Sequence, residues 1–282
     1  MSKETGGYIM MIVDKEKCIG CSLCVNDCIV SDINLVDGKA NINNITCIKC
    51  GHCIAVCPKN AVSTDEDNME DVKDYNKEDF EINEDNLLNF IKFRRSIRNF
   101  KNKDVESEKL LKIIEAGRFT QTGSNSQDVS YIVIKDGIDE LREMTLESLS
   151  QMGQGILNNL TEETMKFKTY AEMWVNMYED YKVDHKKGDR LFFNAPAVIL
   201  VLSNSQVNGA LASSNMELMT NALGLGTFFS GFFIRAAQGN KKIMEFLELD
   251  ESKQIVTCMI IGYPNIKYSR TTPRKEAEII WR

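Results

Sequence analysis

The sequence predicts two parts, a small cysteine-bound module and then a larger domain of α/β or α+β class. Three observations predict this. Eight of the nine cysteines fall between Cys18 and Cys57. A dense run of Asp and Glu follows them. Beyond that run, apolar residues alternate between helical spacing and short continuous stretches.

Composition narrows the possibilities. The 282 residues carry 34 Lys+Arg against 41 Asp+Glu, a net charge of −7, and 43% are hydrophobic. That is an ordinary globular balance. With no basic stretch to offset the acidity, a nucleic-acid surface is not expected. The longest clean apolar run, Ala195 to Leu202, is too short to cross a bilayer. The opening MSKETGGYIMMIV lacks the pattern of a secretory signal, so the chain reads as cytoplasmic.

Residues 1–63 form one duplicated module. Cys18, Cys21, Cys24 and Cys28 recur as Cys47, Cys50, Cys53 and Cys57, and KCIGCSLC repeats as TCIKCGHC. Each block reads C-x2-C-x2-C-x3-C, and the second is followed by Pro58. In a cytoplasmic chain such density points to metal ligands rather than disulfides. Four soft thiolates at this spacing suit an iron–sulfur cluster. A pair of zinc sites is the alternative, although zinc modules usually offer ligands as two separated pairs. So short a segment would draw much of its folding free energy from the bound metal. Residues 12–62 resemble a bacterial two-cluster ferredoxin. The resemblance implies two [4Fe-4S] clusters with crossed ligands: Cys18, Cys21, Cys24 and Cys57 for one, and Cys47, Cys50, Cys53 and Cys28 for the other. His52 reads as a surface neighbour, and Cys258, mid-strand among apolar residues, as a buried residue with no catalytic part.

Residues 64–82 read as a solvated acidic linker, and 83–282 as the second domain. Leu87, Leu88 and Ile91 mark a first helix. Leu110, Ile113 and Ile114 mark a second, with Gly117 as its C-terminal stop. YIVI (131–134) is a predicted strand ending at an Asp136–Gly137 turn, and 139–152 a helix. A helical excursion spans about 161–182. Its Phe167, Tyr170, Trp174, Met177, Tyr178 and Tyr181 share one face, either as core or dimer contact or as a lid over a ligand. His185, among charged residues, reads as surface. PAVILVLS (196–203) is a predicted buried strand, 208–223 a helix, and 255–263 the last strand.

Four segments of this domain carry chemistry. FRRSIRNF (93–100) places Arg94, Arg95, Ser96 and Arg98 beside Phe93, Ile97 and Phe100, so the arginines need anionic partners, and a phosphate monoester fits. TGSNSQ (122–127) is a polar loop. ALGLGTFFSGFF (222–233) runs Gly-rich into an apolar stretch that admits a flat ring. GYPNIKYSRTTPRKE (262–276) brings Arg270 and Arg274. In this order they resemble the nitroreductase family of FMN flavoproteins. The resemblance implies an α+β fold, a homodimer, and FMN at the subunit interface. It assigns Arg94, Arg95, Ser96 and Arg98 to the phosphate, Asn125 and Gln127 to the polar loop, Ser230 and Gly231 to the ring, and Arg274 to a C-terminal phosphate contact. Two departures stand out: Asp128–Val129 follows Gln127 where relatives often carry Pro-Trp, and Asn208 stands where they often carry Asp.

The joined modules imply an oxidoreductase that passes electrons between the clusters and FMN to reduce a small organic acceptor, a nitro compound, quinone or enone. NAD(P)H or an external ferredoxin would be the donor. The alternative is a redox relay or sensor that delivers electrons to a protein partner. No catalytic acid or base is assigned.

Overall fold

The computed structural model describes residues 11–65, 69–249 and 253–282. The first ten residues, on which the reading of the chain's start rests, and 66–68 of the acidic run lie outside them. Two compact units are present. The first comprises the chain up to Ile82 together with Gly123–Ser126, and the second Asn83–Thr122 with Gln127–Arg282.

In the first unit, β1 (Met11–Val13) leads into the first cysteine loop, which ends in α1 (Leu23–Asp27). A hairpin of β2 (Ile33–Val36) and β3 (Lys39–Ile42) separates the two cysteine blocks. The second block ends in α2 (His52–Ala55), and β4 (Val62–Thr64) returns to pair antiparallel with β1. The core consists of Met11, Cys18, Cys24, Ile33, Ala40, Cys53, Ala61 and Val62. Three of these eight are cysteines and two are alanines, so the unit has little hydrocarbon of its own to bury. The acidic stretch adds a short turn, Met69–Asp71, and the one-turn α3 (Lys77–Phe80), capped by the Asn76 side chain, which accepts from the Asp79 N–H.

The second unit opens with α4 (Glu84–Phe93), capped by Asn83. Its predicted apolar face, Leu87, Leu88 and Ile91, lies 40–47% exposed. In α5 (Ser107–Arg118) Gly117 is an interior, buried residue and no stop; the helix runs one residue past it. A Cβ there would lie 2.6 Å from the Tyr131 hydroxyl and 2.8 Å from Met216 Sδ, so close packing explains the glycine. Next come β5 (Ser130–Ile134), the long α6 (Ile138–Asn158), α7 (Lys168–Val183) and β6 (Ala197–Ser203). They are followed by α8 (Gln206–Ala222), β7 (Gly226–Phe229), α9 (Gly231–Ala237), α10 (Lys241–Phe246) and β8 (Gln254–Gly262). The strand β7 and the two short helices after it carry no periodic signal long enough to read in advance.

The four strands form one antiparallel sheet in the order β5-β6-β8-β7. Every residue of β6 is buried because both faces of the sheet are covered. Val198, Leu200 and Leu202, with Cys258 and Ile260 of β8, join Leu141, Leu146 and Leu149 of α6 and Trp174 and Met177 of α7. Ala197, Ile199 and Val201, with Met259 and Ile261, join Leu110 and Ile113 of α5 and Met216 of α8. This helix-covered antiparallel sheet is an α+β fold. No helix among the described residues is long and apolar enough to cross a membrane.

Candidate functional site

The cysteines converge in two places, and the sets are crossed. Cys18, Cys21, Cys24 and Cys57 line one cavity. Cys28, Cys47, Cys50 and Cys53 line the other. The backbone aims N–H groups at four of the sulfurs. Asp32 and Ala61 donate to Cys28 and Cys57 at 3.3 and 3.2 Å, each four residues downstream of its acceptor. Ala40 and Lys49 donate to Cys18 and Cys47, both at 3.4 Å. Such bonds favour thiolate over thiol. Those from the Ala40 and Gly20 amides hold the Cys18 thiol below its ordinary value. Burial pushes Cys24 up and Cys53 to about 11, so binding a metal there must release protons. Among the described residues no three His, Cys, Asp or Glu side chains form a group fit for a single metal ion. Four soft thiols around each cavity suit an iron–sulfur cluster. His52 is exposed, its Nδ1 3.1 Å from Asp27 Oδ2.

The arginine segment lies along the sheet edge. Ser96 forms a parallel bridge to Thr227 of β7, and the Ile97 N–H donates to the Thr227 carbonyl at 3.0 Å. This brings the arginines to the strand that runs into Ser230 and Gly231. Arg98, Ser230 and Gly231 line one cavity with Arg190, Phe193 and Phe229. Arg98 also sits over the Phe228 ring, 5.2 Å from its centroid. Ser230 is buried, caps α9 by accepting from the Phe233 N–H, and donates its own N–H to the Cys258 carbonyl at 2.8 Å. A Cβ on Gly231 would meet nothing within 4 Å, which leaves room beside the backbone.

Arg95 offers the clearest anion-binding edge. Its Nη1 donates to the Lys92 and Arg94 carbonyls, but Nε and Nη2 are buried with no partner among the described residues. A buried guanidinium edge with no acceptor is costly, and a phosphate would satisfy it bidentately. The residues therefore fit FMN at its phosphate end. Arg94 is differently placed: its Nη1 donates to Glu217 Oε1 at 2.8 Å. Burial raises the Glu217 carboxyl, with the Arg94 charge and bond pulling against it. Glu217 is not singled out by the sequence, where a lone acid in α8 is the available signal.

Asn125 belongs to the first unit, where its Nδ2 donates to the Lys49 carbonyl at 2.9 Å and that of Ile48 at 3.2 Å. Gln127, in the second unit, donates its N–H to Thr122 Oγ1. Arg274 is exposed, in the C-terminal stretch without regular secondary structure.

The two departures from the family pattern are bonded to each other. Asn208 Nδ2 donates to Asp128 Oδ1 at 2.7 Å, while Asp128 Oδ2 accepts from Ser203 Oγ at 2.5 Å and the Asn204 N–H at 3.1 Å. An Asp at 208 would set carboxylate against carboxylate. On α7, Trp174, Met177 and Tyr181 are buried in the core. Phe232, beside Gly231, packs edge-on against Tyr170 and Trp174 at 6.2 and 5.8 Å. His185 is exposed and stacks on Tyr181. Cys258 is fully buried, and burial raises its thiol well above the ordinary value.

The 4Fe-4S dicluster domain model matches residues 10–76. The chain is 38% identical over 45 residues to a component of the ion-translocating oxidoreductase complex of Methanosarcina acetivorans, covering 16% of this chain and 17% of that protein. An NADPH-dependent oxidoreductase of Staphylococcus aureus is 24% identical over 180 residues, 64% of this chain and 65% of its own length. The chain thus spans less than two thirds of either relative. An FMN-bound nitroreductase from Bacteroides fragilis shares the fold at TM-score 0.52 and 17% identity, over 71% of this chain and 100% of that one. The nitroreductase family model matches residues 91–263, more than half of the sequence, and the chain belongs to that family.

Proposed function

We propose that the protein is an FMN-dependent oxidoreductase in which two [4Fe-4S] clusters exchange electrons with FMN to reduce a small organic acceptor of the nitro, quinone or enone class. The observation that carries this reading is the crossed pair of four-thiol cavities on the same chain as a nitroreductase-family domain. On this reading the acidic stretch 64–82 separates a ferredoxin domain (1–63) from the FMN domain (83–282). FMN, when bound, holds two electrons and releases them singly or as hydride.

The chain's own residues bind and orient. Arg95 offers two unpartnered guanidinium nitrogens to the phosphate, Ser96 adds a hydroxyl, and Arg98 supplies charge at the cavity that Ser230 and Gly231 border. Arg94 contributes with one edge tied to Glu217. Gln127, Asn125 and Arg274 are assigned on family position, with the dimer as the expected working form. The exposed Leu87, Leu88 and Ile91 face of α4 is consistent with burial by a second copy.

Anaerobic isolation followed by iron, sulfide and FMN quantification tests the cofactors, and a screen of NAD(P)H and ferredoxin donors against the acceptor classes tests the reaction. Steady turnover of a small acceptor is expected. A flavin that is reduced but never turns over would favour delivery to a protein partner. Arg95→Ala should weaken FMN binding on the order of ten- to a hundredfold, the worth of one charge-assisted contact at roughly 1.5–3 kcal/mol. Its check is flavin retained after desalting.

A further inference from the structure

We infer that Lys39 and Asp32 set the two cluster sites at unequal reduction potential, so that the Cys18, Cys21, Cys24 and Cys57 site takes its electron first. The inference rests on the cluster reading above and concerns the first unit alone.

The two cysteine loops repeat in sequence but not in surroundings. The β2–β3 hairpin folds against the first loop. Gly20 there has φ +67°, and a Cβ would lie 2.0 Å from the Gly38 carbonyl oxygen at the hairpin turn; its counterpart in the second loop is the exposed Lys49, at φ +57°. The hairpin delivers charge to the covered loop. Lys39 Nζ donates to the Cys18 carbonyl at 2.5 Å, and the adjacent Ala40 N–H donates to Cys18 Sγ at 3.4 Å. Lys15 Nζ in turn donates to the Ala40 carbonyl at 2.5 Å. Lys59 lines the same cavity.

The second cavity is lined instead by Asp32, which is 3% exposed. Its Oδ1 accepts from the Ile45 and Thr46 N–H groups at 3.2 and 3.0 Å and from Thr46 Oγ1 at 3.1 Å. Its Oδ2 is buried with no partner among the described residues. His52, also on this cavity, is exposed and spends its Nδ1 on Asp27.

Reduction adds one negative charge to a cluster. A fixed ammonium beside one site favours that addition, and a buried carboxylate beside the other opposes it. Each step moves one electron from an external reductant, dithionite in the titration, into one cluster; no bond breaks and no proton is required.

The test is a redox titration followed by electron paramagnetic resonance on the anaerobically reconstituted full chain, with iron and sulfide counted in every sample. The unaltered protein should show two resolved one-electron steps. Lys39→Gln should lower only the higher one, by three- to tenfold in its equilibrium constant, about 28–59 mV at 59 mV per decade. Lys39→Arg should restore it. Asp32→Asn, which keeps the Oδ1 acceptor, should raise only the lower step, and it decides the matter if Lys39→Gln fails to hold clusters. Coincident steps in the unaltered protein, or variants that move neither step or both equally, overturn the inference. Absence of iron and sulfide overturns the cluster reading itself.

Discussion

The two units meet the requirement for a buried interior with different materials. The second unit has strand β6, buried along its whole length, with Leu, Ile and Val reaching both faces of the sheet. The first has a core of eight residues in which thiols occupy positions that hydrocarbon holds elsewhere. Apolar burial at roughly 25 cal/mol per Å² stabilises the second unit without help. The first gains too little from burial and depends on whatever its thiols bind. The same chain should therefore come apart in two unrelated ways.

Metal removal gives the largest contrast. Anaerobic chelation should abolish hydrogen-exchange protection throughout β1, β4 and the β2–β3 hairpin while leaving β6 and β8 protected. Protection that survives in both units would show that the small core suffices on its own. A truncation in the sheet is the converse experiment. Leu200→Ala should cost about 2–5 kcal/mol, the usual range for a buried leucine, seen as a lower unfolding midpoint for the second unit with iron content unchanged. A loss of iron in that variant would mean the two units unfold together.

A smaller effect is expected at the Asp128–Asn208 pair. Asn208→Asp replaces a charge-assisted bond of 2.7 Å with two facing carboxylates in a largely buried place, at a cost of about 1–3 kcal/mol near neutral pH. Adding Asp128→Asn should return part of it, because one amide then faces one acid again. The penalty should also fade in acid, where one of the two carboxyls holds a proton. Additive effects in the double variant would mean the two positions are not coupled, which chemical denaturation can measure.

Legibility from sequence followed the same division. The two cysteine blocks were readable because a repeated spacing of soft ligands carries its chemistry with it, and β6 because an unbroken run of β-branched and aliphatic residues has few other uses. Gly117 misled because a glycine near a helix end looks like a terminator, whereas here the nearness of Tyr131 and Met216 demands it. That constraint comes from α8 and β5, distant in sequence. Glu217 escaped for the same reason: its meaning lies in Arg94, 123 residues away. Asp128 and Asn208 were each visible as departures, but only the fold shows that one accounts for the other. The surroundings of the two cysteine loops were hidden as well, since the repeat is in the ligands and the difference is in the hairpin between them.

The smallest predicted effect separates the units by their response to acid. In the second unit Tyr263 donates its hydroxyl to Glu106 Oε2 at 2.5 Å, and Lys109 Nζ donates to the same hydroxyl at 2.7 Å. Those contacts, the tyrosine bond foremost, hold the Glu106 carboxyl at about 2 against an ordinary 4.5. A carboxyl lowered on folding contributes stability that is complete above its unfolded value and lost as pH falls through its folded one. The contribution is therefore present above pH 4.5 and disappears towards pH 2. Tyr263→Phe removes the strongest of these contacts, so the variant's stability should fall less steeply than that of the unaltered protein between those two values and run parallel to it above them. The first unit should lose its metal across an acid range that this substitution does not move, because its thiolates take up protons whatever Tyr263 does. Parallel stability curves for the two proteins between pH 4.5 and 2 would show that the Tyr263–Glu106 bond is not the cause of the acid response.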